Sequence, residues 1–129
     1  MVATAEQGTG LEINHPEKIH LIYTIESEHI NKRQLETIVD KSLSKTNINL
    51  EQRDDAQLFL RVEEHAGQYL LYLDFNREVQ YVVADQCFRK DGFVWGRYVK
   101  DITDITALYD DVQLLMDEFI EAYIKANGL

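Results

Sequence analysis

The chain has 129 residues, of which 45% are hydrophobic and 28% are charged, and its formal net charge at pH 7 is −10. This length and composition predict one globular domain that needs no disulfide or metal in order to fold. The acidic balance argues against binding of nucleic acid, since such a chain repels phosphate backbones. No run of 18 apolar residues occurs, which argues against insertion into a membrane.

The first 16 residues are small and polar, and they include the only proline of the chain, Pro16. We therefore expect residues 1–16 to form a flexible N-terminal tail and residues 17–129 to form a single domain. A start of this kind is typical of a mature exported protein, and also of a cytosolic protein with a frayed N-terminus. A periplasmic or exported location and, as the alternative, a cytoplasmic one are both compatible with it.

A strand and a helix are predicted next. Apolar and polar residues alternate from Lys18 to Glu26, which is typical of a strand. Asn31 is a favourable helix N-cap, and the apolar spacing that follows predicts a helix that ends before Ser44. A short strand is then predicted over residues 48–51.

The middle of the chain has the alternation of a half-buried sheet. A strand is predicted over residues 58–62, with a turn at residues 65–67. An extended stretch follows from Gln68 to Phe88. It is longer than an ordinary strand, so we expect a bend or a bulge near Asn76.

Asp91-Gly92 is a strong signal for a two-residue hairpin turn. A turn there predicts a hairpin over residues 81–99. It would place Phe88 opposite Trp95, and Gln86 opposite Arg97.

The last helix is predicted from Thr103 or Asp104 to a stop at Asn127-Gly128. Its apolar residues recur at helical spacing: Ile105, Leu108, Val112, Leu115, Phe119 and Tyr123. The predicted order is therefore β-α-β-β-β-β-α. It indicates an α+β domain with a mostly antiparallel sheet of about five strands and both helices packed on one face.

No motif for catalysis, metal binding or a cofactor is present. The four histidines, at positions 15, 20, 29 and 65, lack the spacing of a metal site, and Cys87 is the single cysteine. Neighbouring carboxylates on a strand or helix point apart, so they indicate a solvated surface. We predict no catalytic residue, no metal and no cofactor.

Aromatic residues are frequent on the predicted strands, and helices can cover only one face of a single sheet. An aromatic surface that also carries arginine is typical of protein contacts. We therefore predict a binding surface formed by Tyr72, Trp95, Arg97 and Tyr98. The alternative is that tyrosines stand on an open antiparallel face because they suit β-structure.

A resemblance rests on the segments 94–98 (Val-Trp-Gly-Arg-Tyr), 112–120 and 123–127. Together they resemble small uncharacterised exported bacterial proteins, in which a strand with a tryptophan precedes a helix of similar pattern. Residues 58–62 and 68–72 are similar to the middle strands of those proteins. The resemblance covers residues 18–127 and implies a location in the cell envelope, but no known activity and no functional residue.

Three functions follow as hypotheses. The first is a non-enzymatic binding or accessory domain that uses an exposed sheet face or a sheet edge to contact an unknown protein partner or a second copy of the chain, as in a homodimer. The second is a small enzyme with a scattered site formed by Asp85, Arg97 and Tyr98 beside Cys87. The third is a carrier with a small ligand between the helices and the sheet.

Overall fold

The computed structural model describes residues 10–129, apart from the side chains of residues 80, 81 and 91. In chain order the elements are β1 (Lys18–Glu26), α1 (Lys32–Leu43), β2 (Asn49–Leu50), β3 (Ala56–His65), β4 (Gln68–Val83), β5 (Gln86–Ile102) and α2 (Ile105–Asn127). This confirms the α+β class and both predicted helices. Neither helix in the described part is long and apolar enough to cross a membrane.

The strands form one sheet in the order β2-β1-β3-β4-β5. β1 is parallel to both β2 and β3, whereas β3 with β4 and β4 with β5 are antiparallel. The sheet is therefore mixed, and the prediction of a mostly antiparallel sheet is not met. The reason is that α1 returns the chain to the end of the sheet at which β1 begins. The two strands that follow, β2 and β3, therefore run parallel to β1 on either side of it.

The hairpin turn differs from the prediction. The chain turns at Ala84-Asp85, where both residues have positive φ, 52° and 64°. Asp91-Gly92 instead lies inside β5, paired with Glu78 and Arg77. Two consecutive residues in the left-handed region form a type I′ turn, whose twist matches that of the two strands. Such turns usually contain Asn-Gly or Asp-Gly, whereas this one contains Ala84-Asp85.

Moving the turn changes the cross-strand partners as well. Phe88 pairs with Tyr81, and Trp95 pairs with Phe75. In the same register Gln86 pairs with Val83, and Arg97 pairs with Leu73. A register shift between Phe75 and Asn76 lies where the sequence predicted a bend or bulge.

The core lies between one face of the sheet and the two helices. Phe119 of α2 is fully buried, and its ring centroid lies 5.4 Å from that of Phe75, 5.2 Å from Trp95 and 5.3 Å from Tyr123. Leu35 and Val39 of α1 belong to the same buried cluster. Aromatic pairs at these distances add to the stabilisation from apolar burial, so α2 is fixed firmly on β4 and β5.

Residues 10–16, here called the N-terminal segment, pack on the end of α2. Leu11 is buried in the core. The side chain of Asn127 donates a hydrogen bond to the carbonyl of Leu11 and accepts one from the backbone N–H of Ile13. Arg77 donates to the carbonyl of Glu12. The sequence assigned these residues to a flexible tail of residues 1–16, and residues 1–9 of that tail lie outside the described part.

Candidate functional site

One face of the sheet is turned away from the helices, and we call it the open face. It consists of the side chains that alternate with the core residues along the strands. Its central members in β1, β3, β4 and β5 are Thr24, Glu26, Phe59, Arg61, Glu63, His65, Tyr72, Asp74, Asn76, Phe93 and Tyr98.

An ion-pair chain runs along β3 on this face. Arg61 donates to Glu63, and His65 donates from Nε2 to the other carboxylate oxygen of Glu63 at 2.9 Å. The hydrogen bond from His65, followed by that from Arg61, lowers the pKa of the Glu63 carboxyl. The guanidinium of Arg61 is therefore already matched by a carboxylate.

Two tyrosines extend this chain across the sheet. Arg61, Tyr72 and Tyr98 lie side by side in one cross-strand row. The guanidinium carbon of Arg61 lies 4.8 Å from the ring centroid of Tyr72, and the rings of Tyr72 and Tyr98 are 6.2 Å apart. Tyr98 is 63% exposed. A depression of about 500 Å³ beside the two tyrosines is also lined by Lys100 and His65.

A second depression of about 360 Å³ lies in the middle of the open face, and we call it the Asp74 depression. Phe59 is the direct cross-strand neighbour of Asp74 on one side, and Gly96 is its neighbour on the other. A Cβ placed on Gly96 would come within 2.6 Å of both Asp74 Oδ1 and the ring of Phe93. Hence the carboxylate and the Phe93 ring share the space that a side chain at position 96 would fill.

Burial raises the pKa of the Asp74 carboxyl, and the charge of Arg61 lowers it in part. Among the described residues, no donor makes a hydrogen bond or ion pair with this carboxylate. Asn76 lines the same depression, and its Oδ1 is buried without a partner in the described part of the chain. The depression thus contains acceptors that lack donors.

The four residues predicted to form a binding surface lie on two faces. Tyr72 and Tyr98 stand together on the open face. Trp95 is buried against Phe119, and Arg97 lies over the Trp95 ring at 4.7 Å and donates to Glu118 of α2. Because side chains alternate along a strand, Trp95 and Tyr98 cannot share a face.

The same alternation identifies open-face residues that the sequence analysis did not select. By this alternation, three further residues point to the open face: Phe59 and Arg61 in β3, and Asp74 in β4. Once Tyr72 is placed outward, Asp74 follows two residues later. What could not be read from sequence is which strands lie side by side.

The β4–β5 hairpin extends past Arg77, which pairs with the first residue of β3, Ala56. This two-stranded ribbon, residues 79–90, is here called the arm. Val82, Val83 and Phe88 are exposed on it, Val82 by 69%. Cys87 is exposed as well. From its residue count the arm projects about 20 Å.

The scattered enzyme site does not come together. Asp85 and Cys87 lie at the tip of the arm, whereas Arg97 packs beside α2. Ten strand residues separate Cys87 from Arg97, on the order of 30 Å. Among the described residues, no group of three or more metal-ligating side chains converges either.

A separate polar cluster fixes the loop after β1. His29 Nδ1 lies 2.8 Å from Glu64 Oε1, and the Ser27 hydroxyl donates to the same carboxylate. The hydrogen bond with Glu64 raises the pKa of His29. The Ser27 hydroxyl also accepts a hydrogen bond from the backbone N–H of His29, whereas the His29 imidazole bonds to Glu64. This is the pattern of a loop anchor and not of a hydroxyl activated by an imidazole.

No protein-family model matches the chain, and no curated protein is significantly similar to it. The site is therefore interpreted from its own geometry.

Proposed function

We propose that the chain is a protein-binding domain whose contact surface is the β4–β5 hairpin, comprising its part of the open face together with the arm. The observation that carries this proposal is the distribution of exposed apolar side chains. Among the described residues, most of the large hydrophobic side chains that are exposed lie on this hairpin: Val82, Val83, Phe88, Phe93 and Tyr98. Exposed apolar surface concentrated in this way is typical of interaction sites.

The length of this surface favours a polypeptide over a small molecule. Residues 86 to 98 of one strand span about 40 Å. A small ligand requires an enclosed pocket, whereas the space between helices and sheet is filled by the rings of Phe75, Phe119 and Tyr123.

The edge of the sheet supplies a second means of contact. β5 has a hydrogen-bonded strand neighbour on one side only within the described sheet. Its other side offers backbone groups with which an extended segment of a partner can pair. The surface therefore combines main-chain pairing with aromatic contacts.

Site-specific photo-crosslinking tests the proposal. A benzophenone amino acid replaces Tyr98, Val83 or Leu50, one at a time, in the chain expressed in its own host. Leu50 is the matched control, because it is also exposed but lies in β2 at the opposite edge of the sheet. We expect one discrete adduct from positions 98 and 83 and none from position 50. Equal labelling from all three positions would contradict the proposal.

Self-association is the version in which the partner is a second copy. It predicts an adduct of twice the mass of the chain, together with a concentration-dependent dimer in light scattering after size exclusion. Tyr98→Ala should weaken that dimer, because it removes an exposed ring from the proposed contact surface. The variant should still fold, because this side chain contributes little to the core. If the dimer of this variant has unchanged affinity, self-association through the open face is ruled out. Trp95 is unsuitable for this test, since its buried ring reports on folding.

An exported location, in the periplasm, remains a proposal that rests on the resemblance to exported proteins, with the cytoplasm as the alternative. Fractionation of cells that express the full-length natural gene product distinguishes the two.

A further inference from the structure

We infer that the Asp74 depression receives a lysine or arginine side chain of the protein partner. This inference rests on the proposed function, since it names the chemistry of the partner at one point of the same surface.

The first argument is the unmet demand for a hydrogen-bond donor. The Asp74 carboxylate is half-buried and pairs with no donor among the described residues. Removing a charged or polar group from water without a partner is unfavourable. An ammonium or guanidinium group brings several N–H donors and a charge of the right sign.

The second argument is the nature of the walls. Phe59 lies beside Asp74 on β3, and the ring of Phe93 lies beside its carboxylate above Gly96. The faces of aromatic rings attract cations, more strongly where water is partly excluded. A carboxylate between phenyl rings is therefore complementary to a cationic side chain whose methylene stem is apolar.

The third argument is the charge balance around the depression. Among the described residues, its lining contains Glu26 and Asp74 as acids and Arg61 as the one base. Arg61 is ion-paired with Glu63 and stacked on Tyr72. Its charge compensates Glu26 and Asp74 only in part, so the lining keeps an excess of negative charge. The net charge of −10 for the chain attracts a basic partner at longer range.

The fourth argument concerns the shape of the depression. It is shallow and spans four strands of the sheet, so it suits one side chain presented by a larger molecule. The exposed Phe93 and Tyr98 lie next to it, where the rest of that molecule would rest.

The test is an NMR titration of the ¹⁵N-labelled chain with N-acetyl-lysine methylamide. N-acetyl-norleucine methylamide, which has a similar stem and no charge, is the control ligand. We expect saturable shifts of the Gly96 amide and the Asn76 side-chain amide with the lysine derivative alone. The affinity is expected in the millimolar range, because a single side chain brings few contacts.

Two charge-matched variants distinguish the depression from general attraction. Asp74→Asn and Asp54→Asn each remove one negative charge, but Asp54 lies in an exposed turn before β3. We expect Asp74→Asn to weaken binding about tenfold, as loss of a partly desolvated cation partner implies. Asp54→Asn should bind as the unaltered chain does. Phe93→Ala, at a 65% exposed position, should also weaken binding without unfolding the domain.

Three results would overturn the inference: equal weakening by both asparagine variants, equal shifts with the norleucine derivative, or no saturable shift at all. The photo-crosslinking experiment separates this failure from failure of the proposed function. If adducts form from positions 98 and 83 while the lysine derivative does not bind, the proposed protein-binding function stands. Only the inference that the Asp74 depression receives a cationic side chain is then refuted.

Discussion

Replacement of Phe119 by alanine is the sharpest test of the described core. The side chain has 0% exposure and touches three other rings, those of Phe75, Trp95 and Tyr123. Its truncation removes the apolar contact that joins α2 to both β4 and β5, and it leaves a cavity that rigid neighbouring rings cannot easily fill.

The expected loss of unfolding free energy is about 3–5 kcal/mol, which is typical of a buried phenylalanine truncated to alanine. The upper part of this range applies here, because three aromatic pairs are lost and each is worth about 0.5–1.5 kcal/mol beyond its buried area. A domain of this size has a total stability of about 5–15 kcal/mol, so the variant should fold but with a much lower urea midpoint.

Urea denaturation followed by far-ultraviolet circular dichroism measures the loss, and Trp95 fluorescence provides a second probe in the unaltered chain. Leu114→Ala is the control on the same helix, since Leu114 is 62% exposed and alanine is at least as favourable in a helix. We expect the control to change stability by less than about 0.5 kcal/mol. A loss below about 1 kcal/mol for Phe119→Ala would refute the packing of α2 described above.

Three further predictions concern other parts of the molecule. Gly96→Ala should shift the NMR signals around Asp74, because the new Cβ would lie 2.6 Å from the carboxylate and from the Phe93 ring. Its cost in stability should stay below about 1 kcal/mol, since both groups are the ends of side chains that can move aside on an open face. Asn127→Ala should cost about 1–3 kcal/mol and speed hydrogen exchange in the N-terminal segment, because backbone groups there lose their partners. His29→Asn should reduce stability more at about pH 5.5 than at about pH 8.5, by denaturation at each pH. The sign follows from the raised pKa of His29 and the lowered pKa of Glu64, which together give a stabilising pair only while both are charged.

Each prediction has a contrary outcome. Gly67→Ala is the control for the NMR signals around Asp74, because nothing lies within 4 Å of its Cβ. Signals around Asp74 that stay unchanged in Gly96→Ala would contradict the close approach described above. Unchanged exchange in the N-terminal segment of Asn127→Ala would show that the segment is held by other contacts. A pH-independent effect of His29→Asn would mean that its bond to Glu64 does not depend on the imidazolium charge.

The helices and the first strand could be predicted from sequence because their signals are local. The strand Lys18–Glu26 and the N-cap Asn31, whose side chain accepts from the N–H groups of Arg33 and Gln34, depend only on neighbouring residues. The stop at Gly128, with its positive φ of 67°, is equally local.

The remaining features depend on contacts between distant residues or on exceptions to turn preferences. The Asn127 contacts that hold the N-terminal segment join residues 114 and 116 positions apart, and no pattern in either segment indicates them. Asp91-Gly92 carried the stronger turn signal, but its backbone continues the ladder that holds β4 to β5.

The sequence analysis expected aromatic residues on the face of the sheet that the helices do not cover. Tyr72 and Tyr98 fulfil that description. The Asp74 depression was not anticipated, because it requires Phe59 and Phe93 to flank one carboxylate from two different strands, and strand order is not a local property.

The turn at Ala84-Asp85 gives the arm a gradient of local stability. Left-handed backbone is unfavourable for residues that carry a Cβ, by about 1–2 kcal/mol each. An isolated two-stranded ribbon is only marginally stable in water. The arm should therefore open from its tip toward the sheet, on a timescale much shorter than that of global unfolding.

Amide hydrogens near Val83 should consequently exchange first, and those opposite Phe75 should exchange last. A partner that covers the arm must close this opening before it binds, so part of the contact energy is consumed in ordering the ribbon. Asn-Gly in place of Ala84-Asp85 would pre-order the tip and raise affinity mainly through a slower dissociation rate. The turn would then tune the strength of binding through the order of the arm, separately from any contact that its own side chains make.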